Sequence, residues 1–297
     1  MKKILILCFV MLFFSHTGFA NNPEEILSKD AVLGALVDPN SETDEFSSTR
    51  VNAPYSFEEY ESVYISKNLK IIPKKKNSKS IRMHYAINTI YPKIAGGKLN
   101  EAEKNFNTRA KAIVDEEMNS FINSVKLDLP HLRTLPKEIR HNTFKIDYDI
   151  DVVHEISLVS VRFTIQGMQA GRAHPYRAHR VLNFDLAKNK ELKLKDLFKP
   201  NSKFLKKLSE LSSKQLKNIV GTKDQWMITE GTKPTYKNFK NWNIEKDSLL
   251  ITFDEYQVAP YYYGPQEIEI SYQELLQLLS KDAEVIASLK DEKVKIG

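Results

Sequence analysis

Residues 143–184 read TFKIDYDIDVVHEISLVSVRFTIQGMQAGRAHPYRAHRVLNF. Apolar and polar residues alternate through TFKIDYDIDVVH, again through ISLVSVRFTIQG, and again through AHRVLNFDL. A period of two sends successive side chains to opposite faces of a strand. Three such runs in succession, the last two joined by a turn bearing glycine and proline, predict antiparallel strands with one wet face. Asp147, Asp149 and Asp151 share one face of the first run, which makes it that run's solvent side.

The flanking sequence supplies helices to cover the other face. From about Glu101 to Val125, apolar residues such as Ala102, Phe106, Ala110, Ile113, Val114 and Met118 recur mostly at steps of three and four, the spacing of one helical stripe. Asn100 with Glu103 three residues later forms a capping-box signature at its start. A second amphipathic helix is predicted from near Ser202, with Phe204, Leu205, Leu208, Leu211, Leu216 and Ile219 inward. Lys203, Lys206, Lys207, Lys214 and Lys217 decorate its remainder. Further strands are expected within 58–72, over 81–91, at Trp242 to Ile244, at Leu249 to Phe253 and at Glu267 to Ile270, with a closing helix over Tyr272 to Leu279. Pro92 to Gly97 reads as a turn, and Lys74 to Lys76, with Lys79 near, as a solvated loop. No internal repeat is visible. The order of elements gives an α+β fold: antiparallel sheet or sheets with helices packed on one face.

The amino terminus carries an export signature. Lys2 and Lys3 precede an apolar run from Ile4 to Phe14, and Gly18-Phe19-Ala20 places small residues where a signal peptidase cuts. The run is short for a membrane anchor, so residues 1–20 read as a signal peptide and no stable anchor remains after cleavage. Residues 21–57 read as an acidic polar linker, and 58–297 as the folded body, with 58–190 and 191–297 as candidate subdomains. The single cysteine, Cys8, lies in the signal, so the exported body has no disulfide framework, thiolate metal site or thiol nucleophile. The formal charge is +6 overall and falls to +4 without Lys2 and Lys3. Residues 21–57 hold seven acids against two bases, a net −5, which leaves +9 on the body. A basic body suggests an anionic partner.

Three stretches carry candidate chemistry. The first, Gly167 to Asp185, packs Arg172, His174, Arg177, His179 and Arg180 beside a glycine turn and includes Tyr176. His174 and His179, five apart, fall on different faces of a helix or a strand, which does not suit two ligands of one metal, and Asp185 is the nearest acid in sequence. A hairpin whose histidines bond to backbone is the plainer reading. The second, Phe253 to Tyr272, contains Tyr256 and the run Tyr261, Tyr262, Tyr263 between a proline and Gly-Pro. Tyrosine offers contact area plus a hydroxyl at low entropic cost, which suits recognition loops and stacking on sugar faces; the alternative is that these rings fill a sheet edge. The third is the basic run at Lys74. The sequence has no nucleophile elbow, phosphate loop, metalloprotease helix or recognisable nucleic-acid motif. No metal, cofactor or nucleic-acid partner is implied.

Taken in order, several short pieces resemble the extracellular domain of RsiV-type anti-sigma factors and PdaC-type peptidoglycan deacetylases, a family catalogued as domain of unknown function 3298 with its preceding partner domain. They are Tyr91-Pro92-Lys93-Ile94, Asn105 and Asn107 in the long helix, Ile156-Ser157-Leu158, Gly171-Arg172-Ala173-His174-Pro175 and Asn183-Phe184-Asp185-Leu186. Leu192 to Phe198, Tyr256-Gln257-Val258-Ala259-Pro260-Tyr261, Gly264-Pro265 and Ile270 follow. The likeness covers roughly residues 80 to 280. It implies an α+β domain outside the cytoplasm, one that binds lysozyme in the anti-sigma members and precedes a separate catalytic domain in the deacetylases. Neither a cytoplasmic segment with a membrane helix nor a following esterase domain is expected here, so neither sigma-factor control nor deacetylation carries over.

Two functions from different classes follow. One is an exported binding module, periplasmic or secreted, that grips an envelope protein or an anionic wall glycan. Its candidate surface is Arg172, His174, Tyr176, Arg177, His179, Tyr256, Tyr261, Tyr262 and Tyr263. Lysozyme is the partner the resemblance implies, although commonly basic lysozymes would be repelled at long range by a body of +9, within the limits of salt screening. The other is a wall or extracellular hydrolase working through His174 or His179, which requires a carboxylate or serine within hydrogen-bond reach.

Overall fold

A computed structural model describes residues 62–153, 157–221 and 224–288. The expected signal peptide and acidic linker lie outside the described residues. The three alternating runs are strands: β4 (Asn142–Val153), β5 (Leu158–Met168) and β6 (Tyr176–Asp185), paired antiparallel in that order. They extend a sheet begun by β1 (Val63–Ser66), β2 (Leu69–Ser80) and β3 (Tyr85–Gly96) and closed by the short β7 (Lys190–Glu191), in the spatial order β1 to β7.

Helix α1 (Glu101–Leu132) runs seven residues past the expected end at Val125 and begins on the expected capping box. The Glu103 amide donates to Asn100 Oδ1 at 3.0 Å and the Asn100 amide to Glu103 Oε2 at 2.7 Å. Its apolar stripe covers one face of the sheet. Phe106 meets Phe184 edge-on at 5.9 Å and Phe121 stacks on Phe144 at 4.7 Å, over Ile87, Ile146, Val161 and Leu182. Because α1 carries the chain back to the end where β3 began, β3 and β4 pair parallel, Tyr85 to Thr89 against Asn142 to Ile146. That is the one departure from an antiparallel sheet among these pairings, and a crossover through a helix is what a parallel pair requires.

Two local expectations fail here. The lysine run is not a loop: Lys74, Lys75 and Lys76 lie in β2 opposite Tyr91, Ile90 and Thr89. Pro92 is not in a turn but in β3, opposite Pro73. β1 reaches only Leu69 to Ile71 of β2, so the lysines sit on an edge that charge keeps unpaired. β4 reaches only Thr89 of β3, so Pro92 has no neighbour there to miss its N–H.

The second half builds its own sheet, β8 (Trp242–Ile244), β9 (Ser248–Phe253) and β10 (Gln266–Ser271), antiparallel with β9 central. Helix α2 (Phe204–Val220) covers one face, Leu208 and Leu216 sharing a core with Ile251, Phe253, Ile268 and Ile270. Ile219, expected inward, is 54% exposed at the end of that helix. Helix α3 (Gln225–Gly231) follows, and α4 (Tyr272–Leu275) and α5 (Lys281–Ser288) close the described chain. Each large sheet therefore carries its helix on one face.

The remaining faces meet along a polar seam. Buried Ser160 donates to Asn183 Oδ1 at 2.7 Å and accepts from Asn243 Nδ2 at 2.9 Å and from the Ile244 amide at 3.0 Å. Beside it, Arg162 reaches Thr252 Oγ1 at 3.2 Å, Glu267 at 2.7 Å and Asp149 at 2.9 Å. Asp149 thus works within the seam, although the face it shares with Asp151 is otherwise wet.

Candidate functional site

Beyond Thr252 the seam ends in a clamp. Asp254 follows β9 directly, and its Oδ1 accepts from the His179 main-chain amide at 3.0 Å and lies 2.9 Å from His179 Nδ1. Its Oδ2 pairs with Lys240 at 2.7 Å. Burial alone would raise the Asp254 carboxyl, but the bonds from His179 and Lys240 outweigh it and hold the group below the usual carboxylate range. The next residue, Glu255, accepts from the Arg177 amide at 2.9 Å. Two consecutive carboxylates thus fasten the turn after β9 to the outer part of β6. Asp185, the acid nearest the histidines in sequence, instead caps the turn at Lys188.

This fastening positions Tyr256. Its φ is +63°, a left-handed conformation that costs a bulky side chain roughly 1–2 kcal/mol. The turn is held by the Gln257 amide donating to Asp254 O at 3.0 Å and by Gln257 Nε2 donating to the carbonyls of Gly231 and Asn238. Gly231 has no side chain because the Gln257 carbonyl occupies the place of its Cβ. The Tyr256 ring emerges 55% exposed. It lies 5.7 Å from the Tyr261 ring, at 30°. Tyr261 in turn stacks on His174 from the β5–β6 turn, 3.9 Å away at 27°. The Tyr261 hydroxyl donates to Pro175 O at 3.0 Å, and the Tyr256 hydroxyl is 3.4 Å from His174 Nε2. Three rings from two segments over 80 residues apart form one exposed cluster.

The other candidate residues scatter. Arg172 is exposed in the same turn. Arg177 contributes its main-chain amide to the clamp. His179 is 4% exposed and lies beneath the cluster rather than in it. Tyr176 lies over Gly167, its cross-strand partner, where any Cβ would strike its ring. Burial and then the nearby Glu117 push its phenol up to about 12. Tyr262 and Tyr263 pair with each other at 4.5 Å and turn to the end of α2, where the Tyr263 hydroxyl donates to Val220 O. The sequence reading missed Asp254, Glu255 and Lys240. The signal was present, since Asp254-Glu255 immediately precedes Tyr256, but nothing local says that the two aromatic stretches meet.

Among the described residues no group of three or more His, Cys, Asp or Glu is arranged to hold a metal ion, and no helix is long and apolar enough to cross a membrane.

Residues 195–273 match the family model described as "Protein of unknown function (DUF3298)", so this stretch is a DUF3298 domain. It contains Tyr256 and Tyr261 but not His174, so the cluster straddles its boundary. The chain is 29% identical over 214 residues to the peptidoglycan-N-acetylmuramic acid deacetylase PdaC of Bacillus subtilis (strain 168), covering 71% of this chain and 42% of that protein. It is 32% identical over 136 residues to the anti-sigma-V factor RsiV of the same organism, covering 44% of this chain and 46% of that protein. The matches thus span less than half the length of these relatives. A crystal structure of a DUF3298 family member from Bacteroides fragilis superposes with a TM-score of 0.56 at 18% identity, over 75% of this chain and 99% of that one; the two share a fold.

Proposed function

We propose that this chain is an exported envelope binding module that recognises a protein, a lysozyme-like enzyme in the first instance, or a wall glycan, without catalysis of its own. The observation that supports it is the cluster of His174, Tyr256 and Tyr261. A protein gains nothing in stability by holding a tyrosine left-handed and over half exposed; strain of this kind is characteristic of sites that bind. The rings are pre-ordered by the clamp beneath them, which lowers the entropic cost of binding, and tyrosine faces suit both protein and sugar partners. Distant kinship with a peptidoglycan deacetylase and an anti-sigma factor agrees with an envelope setting.

The test is capture from envelope extracts, and binding to purified lysozyme, by the protein and by its H174A/Y256A/Y261A variant. The triple variant is expected to lose at least tenfold in affinity while keeping its thermal transition. Equal capture by both would remove the cluster from the function.

A hydrolase remains the second reading because one observation favours it: His179 does have a carboxylate, Asp254, within hydrogen-bond reach. Against it, His179 is nearly fully buried and Asp254 is engaged by Lys240 and the His179 main chain. Exposed His174 bonds only to Pro175 O and the Tyr256 hydroxyl among the described residues. A general base must reach its substrate. Wall-degrading activity that disappears in H179A with the fold intact would reverse the order of the two readings.

A further inference from the structure

Helix α2 carries a second surface that the aromatic cluster does not use. At 100° per residue, Lys203, Lys206, Lys207, Glu210, Lys214 and Lys217 fall within about 100° of arc, opposite the buried stripe of Leu208, Ser212 and Leu216. Five lysines and one acid thus form a ridge about 21 Å long. Elsewhere several surface cations are neutralised, among them Lys76 and Lys111 by Asp115, Arg109 by Glu191, and Arg180 by Glu116 and Glu117. None of the five ridge lysines has an ion pair among the described residues, and α2 lacks the alternating acids that would solvate such a face neutrally.

The carboxy-terminal end of the same helix gathers exposed apolar groups. Tyr263 is tied by its hydroxyl to Val220 O, with Tyr262 tilted against it and 75% exposed; Ile219, 54% exposed, lies on the side of the buried stripe rather than on the ridge. Asp224 lies within electrostatic reach of Tyr262. Two residues further on is Trp226, 67% exposed, whereas the other tryptophan, Trp242, is buried. A row of lysines with an exposed tryptophan and tyrosine beyond its end is the chemistry of an interfacial contact. Lysines are drawn to anionic headgroups, and amphipathic rings settle at the headgroup level.

We infer that the α2 ridge, with Trp226 and Tyr262 at its end, docks this protein reversibly on an anionic lipid bilayer. The inference shares the envelope setting of the proposed function but none of its residues. Charge complementarity selects the anionic surface, and the exposed tryptophan selects a bilayer over a soluble polyanion, which offers no apolar layer for the ring.

The exported chain, from Asn21, is mixed with vesicles of phosphatidylglycerol and phosphatidylcholine, with vesicles of phosphatidylcholine alone, and with inorganic polyphosphate. Co-sedimentation with the anionic vesicles is expected, together with a blue shift of tryptophan emission that is lost in W226F. K206Q/K207Q/K214Q, two exposed changes and one half-buried, is expected to bind roughly a hundredfold more weakly, about fivefold per lysine. Equal binding to neutral vesicles, anionic binding unchanged in the triple variant, or binding without the Trp226 shift would each overturn the inference. Tight polyphosphate binding combined with no Trp226 shift on vesicles would assign the ridge to a soluble polyanion instead. H174A/Y261A is expected to retain vesicle binding, which separates this failure from failure of the aromatic cluster.

Discussion

Replacing Asp254 by alanine strips acceptors from two donors in the inter-sheet seam. The His179 main-chain amide and Nδ1 both bond to Asp254 Oδ1, and His179 is buried. A buried donor left unpaired costs about 1–3 kcal/mol. Lys240 is half exposed, so its lost ion pair adds little. The sum is about 3 kcal/mol, which for a body of this size lowers the thermal midpoint by about 6–12 °C. Asp254→Asn keeps an oxygen for the amide and is expected to cost about 1 kcal/mol, the low end of that range. Urea unfolding measures both, with the slope unchanged if the denatured state is unaffected. The carboxyl is held below its usual range in the folded protein. Its contribution is therefore fully present above the unfolded carboxylate pKa and is lost as pH falls through the depressed value. The gap between wild type and Asp254→Ala must narrow in acid. A loss under 1 kcal/mol at neutral pH, or a gap that widens in acid, would refute the clamp.

Four further outcomes follow from the same geometry. Ser160→Ala removes one hydroxyl that serves Asn183, Asn243 and the Ile244 amide and is expected to cost about 2–4 kcal/mol in urea unfolding. Gly231→Ala drives a Cβ into the Gln257 carbonyl and is expected to cost about 1–3 kcal/mol, read as a lower midpoint in thermal melts. Tyr256→Gly relieves the left-handed strain at the expense of a ring contact, so stability should stay level or rise by up to about 1 kcal/mol, while partner capture falls. Burial and neighbouring acids raise the Asp151 and Glu245 carboxyls. Such groups favour the folded state less as pH climbs from the unfolded toward the raised value, and Glu245→Gln should flatten that decline in a series of melts between pH 4 and 7.

The strands and the two long helices were legible because each buries one face against an apolar core, and burial writes its period into the sequence. The capping box at Asn100 was legible for a different reason: its partners are three residues apart. What escaped was long-range. The lysines of β2 carry no apolar alternation because that end of the strand runs past β1 and forms an edge, so its register comes from β3 rather than from its own pattern. The parallel pairing of β3 with β4 depends on where α1 returns the chain. The clamp joins His179 to a residue 75 positions away, and neither side shows a periodic mark. The candidate residues were therefore found as two stretches, while their grouping into one exposed cluster, with His179 beneath it and Tyr176, Tyr262 and Tyr263 elsewhere, needed the fold.

The polar seam explains why that grouping is fixed. Two apolar sheet faces could slide by a residue with little loss, since hydrophobic burial is not directional. This interface is instead held at intervals along β9 and its flanks by bonds that tolerate no such slip: Ser160 to Asn243, Arg162 to Thr252, His179 to Asp254. Polar contacts of this kind add little net stability relative to apolar ones, but each is costly to leave unmade. Displacing the second sheet by one position against the first would break all three at once. Asp254 stands two residues beyond Thr252 and Tyr256 two beyond Asp254, so the register that satisfies the seam also sets Tyr256 against Tyr261 and His174. The geometry of the exposed cluster is thus decided inside the protein, by hydrogen bonds that never reach its surface.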